Sequence, residues 1–467
     1  MKLIMLSLGL GFAQIGISQI TFDQVYGEGL TAFGFNVEQT MDGGYAVFGS
    51  SWSNGGADMY LLKTDAYGVE QWNRNYGSVN PDLGYGAHQT LDGGYILCGT
   101  SNALGNDSLI LVRTDGDGTA LWTRTYPGSL GRDIGFSVLQ TSDGGFAVCG
   151  FTQGAGIAED IYLVRTDPNG DTLWTSSIDL GNSEVGWSVR QTSDGGFIVL
   201  ANSYSFADPD GDIYLLRYDS YGDTLWTRTI ISPGPDETHG FAICSDGGYI
   251  IAGGNGYPNR DLLLIRTDAQ GMEQWRQTPA SSGDQMANQI QEMDDGGFVV
   301  CGRTALPPPS VTYMYLLRTD ENGTMLWERE FGRGIFSEAI SLDRTSDGGF
   351  VIAGSTTDTI AGFAYTDMYL VKTNGDGVVS IAPSETLDPL VKCYPNPATD
   401  RLRIDSGTAT ILSIKLLDAM GQCVLDVRTS NVSHYALGVE NLANGPYVLA
   451  ATISDGRTYT QRVLVAR

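Results

Sequence analysis

The sequence predicts an all-β chain: a seven-bladed β-propeller followed by a small C-terminal β-sandwich. Three observations carry this. One unit recurs seven times in tandem, each unit parses into four short strands, and a strand missing from the last unit is present at the start of the chain. The tripeptide Asp-Gly-Gly, followed by an aromatic, begins at Asp42, Asp92, Asp143, Asp194, Asp246, Asp295 and Asp347, at spacings of 49–52 residues. A second signature, [Lys/Arg]-Thr-Asp-x-x-Gly-x-x-x-Trp, follows six of them, with Tyr218 in the Thr place once.

Within the third unit, GFSVLQT (135–141) alternates weakly and Asp143-Gly144 offers a turn that tolerates left-handed backbone. FAVCGFT (146–152) returns, a variable loop follows, and DIYLVRTD (160–167) forms a third strand. Pro168-Asn169-Gly170 then turns the chain into DTLWTSS (171–177). Four strands per unit at this repeat length fit a propeller blade, and no stretch carries the 3.6-residue apolar period of a helix. The seventh unit ends VVSIAP, without a tryptophan strand, whereas ITFDQVYG (20–27) aligns with WNRNYG (72–77), Phe22 standing for Trp72. Pairing these two ends closes the ring and leaves no open sheet edge there.

The repeats resemble β-propellers of the quinoprotein-like type. That resemblance implies that Trp72, Trp122, Trp174, Trp226, Trp275 and Trp327 lock neighbouring blades. The spacing departs from that family, with Gly three residues after Asp, as in Asp65-Ala66-Tyr67-Gly68. The resemblance carries no quinone cofactor, because an adjacent cysteine pair and a basic cluster for the quinone acids are both missing from the sequence.

The chain of 467 residues holds 62 glycines, 27 basic and 54 acidic side chains, a net −27. Such a charge argues against a nucleic-acid partner. The apolar content of 42% argues against disorder. Residues 391–467 are net +2, which leaves −29 on the rest and marks a boundary after SIAPSETLDP (380–389). Residues 1–18, with Lys2 before an apolar stretch and Gly16 and Ser18 before Gln19, have the shape of a secretory signal peptide. The expected organisation is signal peptide 1–18, propeller 19–379, linker 380–392 and C-terminal module 393–467.

That module carries Tyr394-Pro395-Asn396-Pro397-Ala398, Leu402-Arg403-Ile404, Leu417-Asp418-Ala419-Met420-Gly421, Leu442-Ala443-Asn444-Gly445-Pro446-Tyr447 and Arg462-Val463-Leu464-Val465. It resembles the type IX secretion sorting domain of Bacteroidetes. The resemblance implies export to the surface or medium, with the secretion machinery and its sortase as partners. Gly421-Gln422 stands where that family has Gly-Lys.

The candidate chemistry is sparse. Asp82, Asp133, Glu184, Glu237, Asp284 and Glu338 lie 9–11 residues before each Asp-Gly-Gly. They open the innermost strands, so they could converge on the propeller mouth as an acidic ring for calcium or a cationic ligand. The alternative, which repetition in every blade favours, is that each carboxylate caps backbone N–H groups in its own turn. The strand-opening Asp58, Asp160, Asp212, Asp261 and Asp367 face the same choice, and Asp208-Pro209-Asp210-Gly211-Asp212 is only locally like a calcium loop. Variable loops carry Trp52, Tyr204, Phe206, Tyr257, Pro307-Pro308-Pro309 and Phe363, groups suited to stacking on sugars or a partner chain.

Cys98, Cys149 and Cys301 occupy a slot that is Phe48, Leu200, Ala252 or Ala353 elsewhere, so they read as buried thiols. Cys393 and Cys423 could pair in an oxidising compartment. His88, His239 and His434 have no metal-ligand spacing partners. The expected function is therefore a secreted or surface binding or adhesion module for a glycan or protein ligand. The alternative is an extracellular polysaccharide lyase or hydrolase, for which Glu237 and His239 come nearest. An acidic calcium ring predicts that millimolar calcium raises the melting temperature. An unchanged melting temperature leaves each carboxylate to its own turn.

Overall fold

The computed structural model describes residues 19–379 and 391–466, apart from 28–30, 54–55, 104–106, 127–130, 155–157, 206–210, 232–235, 257–259, 280–282, 307–310, 361–362, 396–397, 408, 418–422 and 455–457. The segment 1–18, most of the linker, Phe206, Asp208–Asp210, Tyr257 and Pro307-Pro308-Pro309 lie outside the described residues, as do the side chains of Phe363 and Cys423. Among the described residues every regular element is a strand. The chain divides into two compact units that part between residues 380 and 381.

In the first unit the third repeat builds its sheet from Asp133–Gln140, Phe146–Gln153, Glu159–Thr166 and Thr172–Ile178, antiparallel and in sequence order. These bounds lie within two residues of those read from the sequence. The first, second, fourth and fifth repeats form four-stranded sheets of the same order, the propeller-blade pattern. The sixth and seventh lie in one eight-stranded sheet, bridged through the parallel pair Thr312–Phe336. There Phe22–Tyr26 pairs antiparallel with Phe363–Thr373, Phe22 opposite Lys372, and fills the fourth-strand place of the seventh repeat.

Burial explains the strand compositions. Tyr95–Ser101 and Ser108–Thr114 are buried along their whole lengths, as expected for strands covered on both faces. Ala120–Tyr126, the fourth strand, is mostly exposed and ends on buried Tyr126. The apolar cores lie between repeats: Phe48, Leu61 and Tyr76 of the first pack with Leu97 and Ile110 of the second. The series runs on to a cluster that joins Val351, Met368 and Leu370 of the seventh repeat to Val47, Leu62 and Tyr45 of the first. Cys98, Cys149 and Cys301 are free and fully buried in these cores, as is the slot's Leu200.

Aromatic docking holds neighbours together. A Cβ built on Gly118 would sit 2.7 Å from Cζ3 of Trp72, and Tyr76 Oη donates to the Gly118 carbonyl at 2.6 Å. Gly170, Gly222, Gly271, Gly323 and Gly377 meet Trp122, Trp174, Trp226, Trp275 and Trp327 in the same way. At the seam Phe22 takes the tryptophan's place: a Cβ on Gly68 would lie 2.7 Å from its ring, and Tyr26 Oη donates to the Gly68 carbonyl. Gly68 also has φ +77°, so a side chain there is excluded twice, by backbone conformation and by the ring above it.

Each Asp-Gly-Gly turn anchors a buried cation. Arg113, Arg165, Arg217 and Arg266 place guanidinium nitrogens 2.5 Å from Asp92, Asp143, Asp194 and Asp246, and Lys63 and Lys372 lie 2.9 and 3.0 Å from Asp42 and Asp347. Arg318 pairs with Asp295 likewise. A cation buried this deeply needs its carboxylate, which explains why Lys or Arg precedes every Thr-Asp or its equivalent. All seven turn aspartates are held below the usual carboxylate range. For Asp194 the Thr192 hydroxyl contributes most, Gly196 N–H and Arg217 add, and the result is about 2 against the opposing effect of burial.

The second unit has two small sheets. Lys392–Tyr394, Arg401–Asp405 and His434–Gly438 form one; Cys423–Val432, Ile411–Leu417, Gly445–Ile453 and Thr458–Val465 form the other. Both contribute to one buried cluster, with Leu402 and Ile404 beside Ile414, Leu449 and Val463. Cys393 is a buried free thiol.

Phe22→Ala should cost about 3 kcal/mol by removing a buried ring at the seam. Gly68→Ala should destabilise too, and the double variant should lose less than the sum, because the two residues share one contact. Urea unfolding checks this, and an unchanged midpoint in Phe22→Ala would contradict a stabilising seam. The depressed aspartates give a second expectation. Their contribution is full above the unfolded carboxylate value of about 4 and is lost as pH falls through the folded values, about 2 for Asp194. The urea midpoint should therefore fall steeply between about pH 4 and about pH 2. A flat profile there would contradict the pairing.

Candidate functional site

The first strands of the repeats share a local distortion. Pairing with the second strand skips one residue between Gly34 and Asn36, Gly84 and Gly86, Gly135 and Ser137, Gly186 and Ser188, Thr238 and Gly240, Ala287 and Gln289, and Ala339 and Ser341. The bulged residues are Phe35, Tyr85, Phe136, Trp187, His239, Asn288 and Ile340, each seven residues before its Asp-Gly-Gly aspartate. A bulge frees a residue from the ladder and re-aims its side chain. Six of these residues, Phe35 to Asn288, line a cavity of about 310 Å³ to which the first strands of all seven repeats contribute.

Around it the aromatic rings form a continuous belt. Ring centroids are 5.7 Å apart for Phe35–Tyr85, 5.0 Å for Tyr85–Phe136, 4.7 Å for Phe136–Trp187 and 4.4 Å for Trp187–His239. His239 Nδ1 meets Asn288 Oδ1 at 3.3 Å. Asn288 uses its amide nitrogen on Glu338 Oε1 at 3.1 Å and the Ala339 carbonyl at 2.8 Å, which turns its oxygen to His239. The proton of His239 therefore sits on Nδ1, leaving Nε2 as an acceptor, and Nε2 has no partner among the described residues. Burial lowers the His239 pKa, against the pull of Glu237 and Asn288, so the ring is neutral at physiological pH.

Along the strands from the belt the lining becomes polar and charged: Glu38, His88, Arg190, Gln291 and Asp343. Glu38 accepts from His88 Nδ1 at 2.8 Å and from Gln89 N at 2.7 Å. Burial by itself would lower the His88 pKa, but the hydrogen bond and charge of Glu38 outweigh it and the pKa is raised. Asp343 accepts from the backbone of Gln39 and Arg344, both at 2.9 Å, and from Gln291 Nε2 at 3.3 Å, while burial raises its pKa. Arg190 donates to the carbonyls of Val189 at 2.9 Å and Phe241 at 3.4 Å.

None of the six acidic residues expected at the mouth is among the residues described as lining this cavity. Asp82 accepts from Ser78 N, Asp133 from Thr152 Oγ1 at 2.6 Å, and Glu184 from Ser203, Ser205 and Leu180. Arg260 draws Glu237 and Asp284 together, at 3.0 and 3.8 Å, and Arg303 lies 3.3 Å from Glu338. Asp160, Asp179 and Glu184 are one carboxylate group close enough to share a cation, and burial, then its two neighbours, raises the Asp160 pKa. Trp52, near the end of the strand Tyr45–Ser53, and Tyr204, just after the strand Phe197–Ser203, are exposed, Trp52 with its ring against Phe33.

Against known proteins, the C-terminal unit is decisive. Residues 392–466 match the secretion system C-terminal sorting domain. That domain marks the chain for export by type IX secretion to the cell surface or extracellular space. No curated protein matches the chain. Among solved structures, the extracellular domain of a hybrid two-component system from B. thetaiotaomicron is 9% identical, with 92% of this chain and 68% of that one covered at a TM-score of 0.39. The Pseudomonas aeruginosa periplasmic gluconolactonase is 11% identical, with coverage of 74% and 97% and a TM-score of 0.44. The Neurospora crassa Pan2 WD40 domain is 9% identical, with coverage of 73% and 88% and the same TM-score, 0.44. The blade topology rests on the strand pairing rather than on these likenesses. No helix among the described residues is long and apolar enough to cross a membrane.

Proposed function

We propose that the repeats close into a seven-bladed β-propeller that serves, once exported, as a binding or adhesion module, with its ligand in the axial cavity. The C-terminal unit, read as a small β-sandwich, delivers it to the type IX machinery and sortase. Closure is supported by the seam: Phe22 on Gly68, the cluster joining the seventh and first repeats, and Ser346 N donating to Gln39 Oε1 at 2.7 Å. The same latch, from the turn of one repeat to the Gln ending the next first strand, recurs at Met41–Gln89, Leu91–Gln140 and Ser142–Gln191, each at 2.9 Å.

One observation carries the binding reading. At the position where the repeats meet the axis, the residue changes from Phe, Tyr, Phe and Trp to His, Asn and Ile, while the surrounding turn and docking residues stay nearly the same. A position serving only blade packing varies in size but stays apolar, as the cysteine slot does, whereas a lining that meets an asymmetric ligand changes to polar groups as well. A glycan array with a polysaccharide-degradation screen on the full chain tests it. Trp187→Ala should weaken a bound ligand about tenfold by removing its platform, while Trp52→Ala leaves it unchanged. Loss at Trp52 with retention at Trp187 would move the site to the outer loops. Turnover abolished by His239→Ala would favour the polysaccharide-active enzyme instead.

A further inference from the structure

We infer that the axial cavity takes a single hydroxylated ring bearing a carboxylate, that is, a sugar acid, free or at the end of an acidic glycan. This rests on the binding reading above and specifies its ligand class. Size comes first: about 310 Å³ is at the low end for small-molecule sites and suits one ring rather than a chain. The lining has two levels. One is the belt of Phe35, Tyr85, Phe136 and Trp187, continued by His239 and Asn288, and the other, beside it along the strands, carries Glu38, His88, Arg190, Gln291 and Asp343. A pyranose has the matching division, an apolar C–H face and a hydroxylated edge.

Two polar groups then set the edge chemistry. His239 is neutral and its Nε2 is a buried acceptor without a partner among the described residues, so it calls for a donor, which a sugar hydroxyl is. Arg190 supplies the charge. Its hydrogen bonds go to two carbonyls, so most of its five donors remain for a ligand. The neighbouring carboxylates are already engaged, Glu38 by His88 and Gln89 N, Asp343 by two backbone N–H groups and Gln291. Glu38 acts on Arg190 through its charge, but among the described residues no carboxylate is ion-paired with the guanidinium, so a ligand carboxylate can be held there bidentately. The chain's net −27 repels anions at a distance, so acid selectivity here must come from Arg190 itself.

Titration calorimetry of the full chain with D-glucuronate, D-glucose and benzoate separates the parts of this inference, and a glucuronate-terminated oligosaccharide separates the two sources. Glucuronate or the oligosaccharide should bind about tenfold or more tightly than either control. Glucose lacks the carboxylate and benzoate lacks the hydroxyls. Arg190→Gln should abolish the preference for the acids over glucose. Should that variant fail to fold, the comparison of ligands on the native chain still decides. Glucose or benzoate binding as tightly as the acids, or no binding of either acid at millimolar concentration, would overturn the inference. If the array meanwhile reports a neutral glycan held through Trp187, the binding reading stands and only the ligand class falls. Silence in both experiments overturns both.

Discussion

The fold depends on one contact made again and again: an aromatic ring on the outer strand of one repeat lying on a glycine in the turn of the next. The contact fixes both partners. The ring leaves no room for a Cβ, and the turn holds the glycine at positive φ, as at Gly118 and Gly68. The contact recurs from repeat to repeat while the loops between strands vary. Most consequential is its last occurrence. Phe22 makes the contact in place of a tryptophan, so the strand Phe22–Tyr26 ties the seventh repeat to the first.

The cavity depends on how the first strands are brought together. Each first strand carries a bulge, and a bulge in an isolated sheet would merely turn a side chain outward to solvent. Arranged about one axis, the same bulges turn Phe35, Tyr85, Phe136, Trp187 and His239 toward each other and produce a belt of rings in contact. The belt ends at Asn288, whose amide is committed to Glu338 and Ala339 and so dictates the tautomer of His239. The charges beside it are sorted by the same economy. Carboxylates are satisfied by protein donors, and Arg190 is left with carbonyls.

Much of this architecture was legible because repetition magnifies local rules. The turn aspartate, the glycine and the tryptophan each have a steric or hydrogen-bonding reason that recurs in almost every copy, and Phe22 could be placed by aligning six residues. The cysteine slot was legible for the same reason, since its occupants were interchangeable and apolar. The site was not. A bulge breaks the period of two on which strand reading depends, so GFSVLQT alternates only weakly and hides Phe136. A signal was nevertheless present, in the residue seven places before each turn aspartate, which is aromatic in four repeats and His, Asn or Ile in the other three. The acidic residues drew attention for the opposite reason, their regularity. In place they answer to local partners such as Thr152, Ser203 and Arg260.

An exported module of this kind has to hold its axis together without help from the cell. The seam is the only place where non-consecutive parts of the chain do that work among the described repeats, through Phe22–Tyr26. Native-state hydrogen exchange of that strand tests the account most directly. Amides of Asp23 to Val25 should exchange as slowly as those of an internal fourth strand such as Ala120–Tyr126. Exchange at the rate of a frayed terminus, with the internal strands protected, would contradict a closed ring and with it the axial site.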